Sequence, residues 1–173
     1  MDPMRPSITL REIVAAPDVE RIGSLVAGTG FFSGEEIGIA RELVEERLAQ
    51  GPACGYHFLL AETGQALLGY TCYGPTDDSP WLFDLYWIAV HDSCRGKGIG
   101  SALLAATERR VARMGGRRIH IETSSRPQYL PTRRFYEKHG YRKGAVHKNF
   151  YAPGEDRYVY VKDLAPAQPV KAA

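Results

Sequence analysis

Hydrophobic residues recur along this chain in two rhythms, and the switches between them divide it into elements. Over residues 8–14 apolar and polar positions alternate, which predicts a first strand. Residues 18–27 (DVERIGSLVA) change to helical spacing just after Pro17, and GTGFF breaks that helix. Ser33-Gly34-Glu35-Glu36 has the spacing of a capping box, in which hydroxyl and carboxylate satisfy each other's free amides. The helix that follows places Ile37, Leu43, Val44, Arg47 and Leu48 near one stripe and stops at Gly51-Pro52. Two apolar runs around Glu62-Thr63-Gly64-Gln65 predict a hairpin. Residues 75–80 separate it from residues 81–90 (WLFDLYWIAV), a long strand apolar on both faces and therefore central.

The second half continues the alternation of elements. Residues 98–114 are helical, with Leu103, Leu104, Ala106, Thr107 and Val111 on one stripe and Gly115-Gly116 as the stop. Residues 118–123 form a strand, SSRPQYLP a loop, and residues 132–139 a short helix closed by Gly140. Strands over 141–150 and 157–164 surround the turn APGED. Helices separate some strands and hairpins join others, so the expected fold is one α/β (α+β) domain with a mixed sheet over residues 8–164. Residues 165–173 (APAQPVKAA) read as a flexible tail.

Composition narrows the class. The 173 residues suit one core, and a net charge of +2 supplies no field to recruit nucleic acid or an anionic membrane. Cys54, Cys72 and Cys94 form no CxxC pair and read as reduced thiols of a cytoplasmic protein. The first ten residues lack the apolar core of a signal peptide, and no apolar run is long enough for a membrane helix. His57, His91, His120, His139 and His147 show no ligand spacing, so no metal is expected and all five read as surface or core histidines.

The chemistry gathers where the long strand ends. Arg95-Gly96-Lys97-Gly98-Ile99-Gly100-Ser101 leads from that strand into a helix, an anion-binding corner. Glycines let the backbone approach a bulky phosphate, and the two cations add charge from the rim. The competing reading is a bend that only reverses the chain. A Walker loop fails because no Lys follows Gly100, and the dinucleotide fingerprint fails because Ala102 and Leu103 follow instead of a third spaced glycine.

Arg95-Gly96-Lys97-Gly98-Ile99-Gly100 resembles the Gln/Arg-x-x-Gly-x-Gly/Ala loop of the GNAT superfamily of acyl-CoA-dependent N-acetyltransferases. The likeness extends through SALLAATERRVARMGG, the strand RIHIET and TRRFYEKHGYRKGA, where Phe135-Tyr136-Glu137 and Gly140-Tyr141 match the superfamily's second signature. It implies a central, mostly antiparallel mixed sheet flanked by helices and splayed at the strand that binds acetyl-CoA. Residues 95–101 would hold the coenzyme's pyrophosphate. The main chain of Ile88, Ala89 and Val90 would pair with its pantetheine arm and polarise the thioester carbonyl. The implied reaction moves acetyl from acetyl-CoA to a primary amine of a small molecule, amino acid or peptide, by direct attack in a ternary complex. A homodimer is common in the superfamily. A different class also keeps the glycine loop: a non-catalytic acyl-CoA-binding sensor or regulator.

Proton transfer needs named groups. By resemblance Tyr136 is the general acid, or a hydrogen-bond donor, for the departing thiolate; the plainer reading is a core tyrosine beside Phe135. Asp84 interrupts the apolar strand, six residues before Val90, where some relatives carry a catalytic glutamate. By strand parity it shares a face with Tyr86, Ile88 and Val90. Desolvation among Trp and Tyr would raise its pKa toward that of a working base, unless a salt bridge or backbone bonds hold it. Glu122 is the second candidate, with an ion pair to Arg117, Arg118 or Arg126 as its alternative. Two positions depart from the family pattern: Tyr129 stands where many relatives have the pantetheine-contacting asparagine, and Asp92 where proline is common. Cys94 borders the loop but has no base and is not expected to be a nucleophile.

On the acceptor side, Phe31 and Phe32 are either pocket walls or staples for the next helix. Arg126 and Arg133 can bind a carboxylate, stay solvated, or reach the coenzyme's 3′-phosphate.

Overall fold

In the computed structural model, residues 7–169 are described. The last four residues of the expected tail lie outside the described residues, and 164–169 carry neither helix nor strand. Eleven elements follow in order: β1 (Thr9–Arg11), α1 (Asp18–Gly28), α2 (Gly34–Gln50), β2 (His57–Thr63), β3 (Ala66–Thr76), β4 (Ser79–Val90), α3 (Ile99–Arg113), β5 (Arg118–Ser124), α4 (Leu130–Lys138), β6 (Arg142–Ala152) and β7 (Glu155–Asp163). The strands make one seven-stranded sheet in the order β1-β2-β3-β4-β5-β7-β6. β4 and β5 run parallel, whereas β1–β2, β2–β3, β5–β7 and β6–β7 are antiparallel. This is the mixed, mostly antiparallel sheet flanked by helices that the sequence led us to expect.

The chain clusters into two compact units, one of residues up to 74 with 87–107, the other of 75–86 with the residues from 108 onward. In the first unit, Ile22, Leu25 and Val26 of α1 and Ala40 and Val44 of α2 pack with Phe58, Leu60, Tyr70, Cys72 and Ala89. The capping box forms as expected: the Glu36 amide donates to Ser33 Oγ at 3.2 Å and the Ser33 amide to Glu36 Oε2 at 2.7 Å. Leu48 departs from its predicted stripe and is 41% exposed. Arg47 donates to the Tyr56 carbonyl at 2.9 Å, which turns the helix end toward β2.

β1 is much shorter than the alternation over 8–14 suggests. Asp18, only 1% exposed, accepts hydrogen bonds from Arg11, from Arg21 and from the Ala15 amide, and this draws the chain out of the sheet after Arg11. Ile13 is left 78% exposed as a result. The first hairpin turns at Gly64-Gln65, with Gly64 at φ 55°. The segment 75–80 is less of a gap than expected, because β3 extends to Thr76 and β4 begins at Ser79.

The second unit buries Phe83, Leu85, Val111, Ile119, Ile121, Tyr136, Tyr141, Val159 and Tyr160. Gly116 is there for space: a Cβ would lie 2.3 Å from Val111 Cγ1 and 2.9 Å from Phe83 Cδ2. α4 begins at Leu130, two residues earlier than the sequence suggests, with Pro131 in its first turn, where a missing amide proton costs nothing. The final turn narrows to Pro153-Gly154, with Gly154 at φ 79°.

Candidate active site

The glycine loop is built from the end of β4. The His91 amide donates to the Leu68 carbonyl at 2.7 Å, fixing where the strand stops. A single 3-10 turn, Asp92–Cys94, follows, and Arg95 is extended. Gly96 and Gly98 then take φ of 73° and 83°, the left-handed region that glycine enters without a Cβ penalty. A Cβ built on either would meet nothing within 4 Å, so the space beside the loop is open to a ligand. Ile99, 4% exposed, anchors the turn in the core. The first intrahelical bond of α3 runs from the Ala102 amide to the Gly98 carbonyl at 3.0 Å. The amides of Gly98, Ile99 and Gly100 precede that ladder, at the positive end of the helix dipole. Left-handed glycines, open flanks and a helix start are what a pyrophosphate requires.

Neighbouring side chains support the loop. Arg95 pairs with Asp92 at 3.2 Å, and its guanidinium lies 4.9 Å from the Phe31 ring. Lys97 is exposed. Phe31 thus borders the loop, while Phe32 packs on Trp87 at 4.9 Å and follows the stapling alternative. Gly69 of β3 lies under the same corner: a Cβ there would stand 2.9 Å from the Ala89 carbonyl oxygen and 3.0 Å from Leu103.

The proton-transfer candidates lie in the second unit. Asp84 is half-buried, and burial pushes its carboxyl up; His120 opposes that shift and Glu122 adds to it. Glu122 is exposed and pairs with Arg157 at 3.4 Å, an arginine other than those expected from the sequence. Tyr136 is 4% exposed, with Phe135, Tyr141 and Tyr160 ring centroids at 5.8, 6.1 and 6.0 Å. Burial raises its phenol above the ordinary tyrosine value, so it is protonated at neutral pH. Glu137 accepts from Tyr160 at 2.9 Å, and Glu108 from both Tyr141 and Lys162 at 3.0 Å. These contacts hold α4 and the end of α3 against β7.

Arg126 and Arg133 have structural partners. Arg126 pairs with Glu155 at 2.9 Å, and Arg133 donates to the carbonyls of Ser124 and Arg126. Cys54, Cys72 and Cys94 are all free thiols. Among the described residues no cluster of ligating side chains could hold a metal, and no helix is long and apolar enough to cross a membrane.

Comparison with known proteins bears directly on the loop. A family profile described as an acetyltransferase (GNAT) domain matches residues 54–143, which span β2 to α4 and include the glycine loop. The chain belongs to the GNAT acetyltransferase family. An uncharacterized N-acetyltransferase of Methanocaldococcus jannaschii is 35% identical over 105 residues, 61% of this chain and 65% of the relative. The match therefore spans just under two thirds of that relative's length. A Desulfovibrio desulfuricans crystal structure assigned to the GNAT-family acetyltransferases is 43% identical, with a TM-score of 0.91 over 92% of this chain and all of that one. An aminoglycoside 6′-N-acetyltransferase crystallised with coenzyme A shares the fold at 20% identity, with a TM-score of 0.73 over 94% of this chain and 99% of its own.

The sequence marks His120 only as a surface or core histidine. Strand register places it opposite Asp84 across the parallel β4–β5 pair. The alternation in R-I-H-I-E-T puts it on one face with Glu122, the signal that could have found it.

Proposed function

We propose that this GNAT-family chain transfers acetyl from acetyl-CoA to a primary amine by direct attack, with residues 8–164 acting as the catalytic domain. The observation that carries the reading is the loop, whose left-handed Gly96 and Gly98 stand open beside the start of α3. Residues 95–101 would bind the pyrophosphate, and the main chain of Ile88, Ala89 and Val90 the pantetheine arm. The aminoglycoside enzyme that shares this fold was crystallised with coenzyme A, which supports that cofactor. The acceptor is a small-molecule or peptide amine.

The reaction forms one C–N bond and breaks one C–S bond. An ammonium must first lose a proton, assisted by Asp84 or Glu122 in this reading. Asp84 is the better placed, since Glu122 is engaged by Arg157. Tyr136 would serve the leaving thiolate. A thiol of ordinary pKa about 8.5 is more acidic than a buried phenol, so hydrogen-bond donation fits Tyr136 better than full proton transfer.

Tyr136→Phe tests that role. It should lower kcat by about 10- to 100-fold, at most the low end of acid–base contributions as suits a hydrogen-bond donor, with little change in the KM for acetyl-CoA. Unchanged CoA release would remove Tyr136 from the chemistry.

A further inference from the structure

β4 and β5 put a histidine beside the candidate base. Asp84 and His120 are register partners in adjacent parallel strands, whose backbones lie about 4.8 Å apart. Phe83, Ile119 and Ile121 face the core at 2, 1 and 2% exposure, so Asp84, His120 and Glu122 share the opposite face. Asp84 and His120 are both half-buried.

Other charged and titratable groups share this face: Arg142 of β6 pairs with Asp163 at 3.3 Å, and His147 of β6 is the register partner of Arg157. Arg157 of β7 pairs with Glu122 at 3.4 Å while its guanidinium lies 3.9 Å from the Phe150 ring. Arg118 of β5 pairs with Asp163 of β7 at 2.6 Å. Burial pushes the Tyr151 phenol of β6 up, and Glu122 adds to that shift while Arg157 opposes it. Asp84 is the carboxylate directly across from the imidazole.

We propose that His120 is the base that takes the acceptor's ammonium proton, and that Asp84 is a positioning residue that orients the ring and stabilises the imidazolium. This rests on the acetyl-transfer reading above. A neutral imidazole is ordinarily a stronger base than a carboxylate, which makes histidine the commonest general base near neutral pH. The ammonium N–H bond breaks and its proton passes to an imidazole nitrogen. The freed lone pair attacks the thioester carbonyl carbon, forming the C–N bond. As the C–S bond breaks, a second N–H proton goes to the thiolate, and the imidazolium returns its proton to solvent. Atoms and charge balance with no further reactant.

Two measurements on the full chain test this. The first is the NMR tautomer state of the His120 ring. A partner carboxylate fixes which ring nitrogen carries the proton, so Asp84→Asn should shift the tautomer ratio; an unmoved ratio would overturn the pairing. The second is the pH–rate profile for CoA release with L-lysinamide, kanamycin or benzylamine as acceptor. His120→Gln, with His120→Asn as its check on folding, should lower kcat/KM at pH 7 by about 100-fold. The deficit should shrink about tenfold per pH unit as the amine deprotonates unaided, with acetyl-CoA affinity unchanged. A variant profile parallel to wild type would overturn the base assignment alone. A wild-type protein that binds acetyl-CoA yet releases no CoA with any of the three amines would overturn acetyl transfer to such amines, and the base with it.

Discussion

Asp18→Asn is the substitution whose cost the structure defines best. The carboxylate is 1% exposed and accepts from Arg11 at 2.8 and 3.0 Å, from Arg21 at 2.8 Å and from the Ala15 amide at 2.7 Å. Asn turns one of those oxygens into a donor aimed at donors. Breaking a buried ion pair from one side costs about 3–5 kcal/mol. Arg11 and Arg21 are about 30% exposed, and Glu62 still engages both, so we expect about 2–3 kcal/mol at pH 7. The assay is urea unfolding of both proteins across pH. Burial pushes the Asp18 carboxyl up, but bonds from Arg11, the Ala15 amide and Arg21 outweigh it and hold it below the ordinary value. Glu62 is likewise held down, chiefly by Arg11. A depressed carboxylate contributes stability above its ordinary pKa and loses it as pH falls through the folded one. The gap between wild type and variant should therefore narrow below about pH 4. A gap under about 1 kcal/mol at pH 7, or one unchanged at pH 3, would refute the reasoning. Glu20→Gln is the control: its pair with Arg41 spans 3.3 Å at 75% and 36% exposure, and its loss should cost less than about 0.5 kcal/mol.

Two further outcomes follow from local geometry. Gly69→Ala should cost about 1–3 kcal/mol in a thermal melt, because its Cβ would press on the Ala89 carbonyl 2.9 Å away and the backbone must move; a neutral result would mean that the corner is looser than described. Ser33→Ala removes the acceptor for the Glu36 amide and should cost about 1 kcal/mol by urea unfolding. An unaltered midpoint would show that the cap adds nothing.

What could be read from the sequence was what local chemistry decides. Ser33 and Glu36 are three residues apart, and Gly64, Gly96 and Gly98 announce their own backbone. What could not be read depends on partners far along the chain. β1 is cut short by a network that brings Glu62 to Arg11, 51 residues away. Glu122 finds Arg157 instead of a nearby arginine because β7 returns antiparallel beside β5. His120 stands next to Asp84 only through a parallel register, and nothing in either strand alone encodes that alignment.

The most direct test of the central claim is a calorimetric titration of the purified protein with acetyl-CoA, with 3′-dephospho-CoA and ATP as controls. Gly98→Glu is the companion variant. Gly98 is exposed with open space beside it, so the left-handed backbone should cost only about 1–2 kcal/mol of stability. Wild type should bind acetyl-CoA in the micromolar range, and a folded Gly98→Glu protein should not. A folded wild type that binds no acetyl-CoA would contradict the claim and leave the glycine loop as a chain reversal.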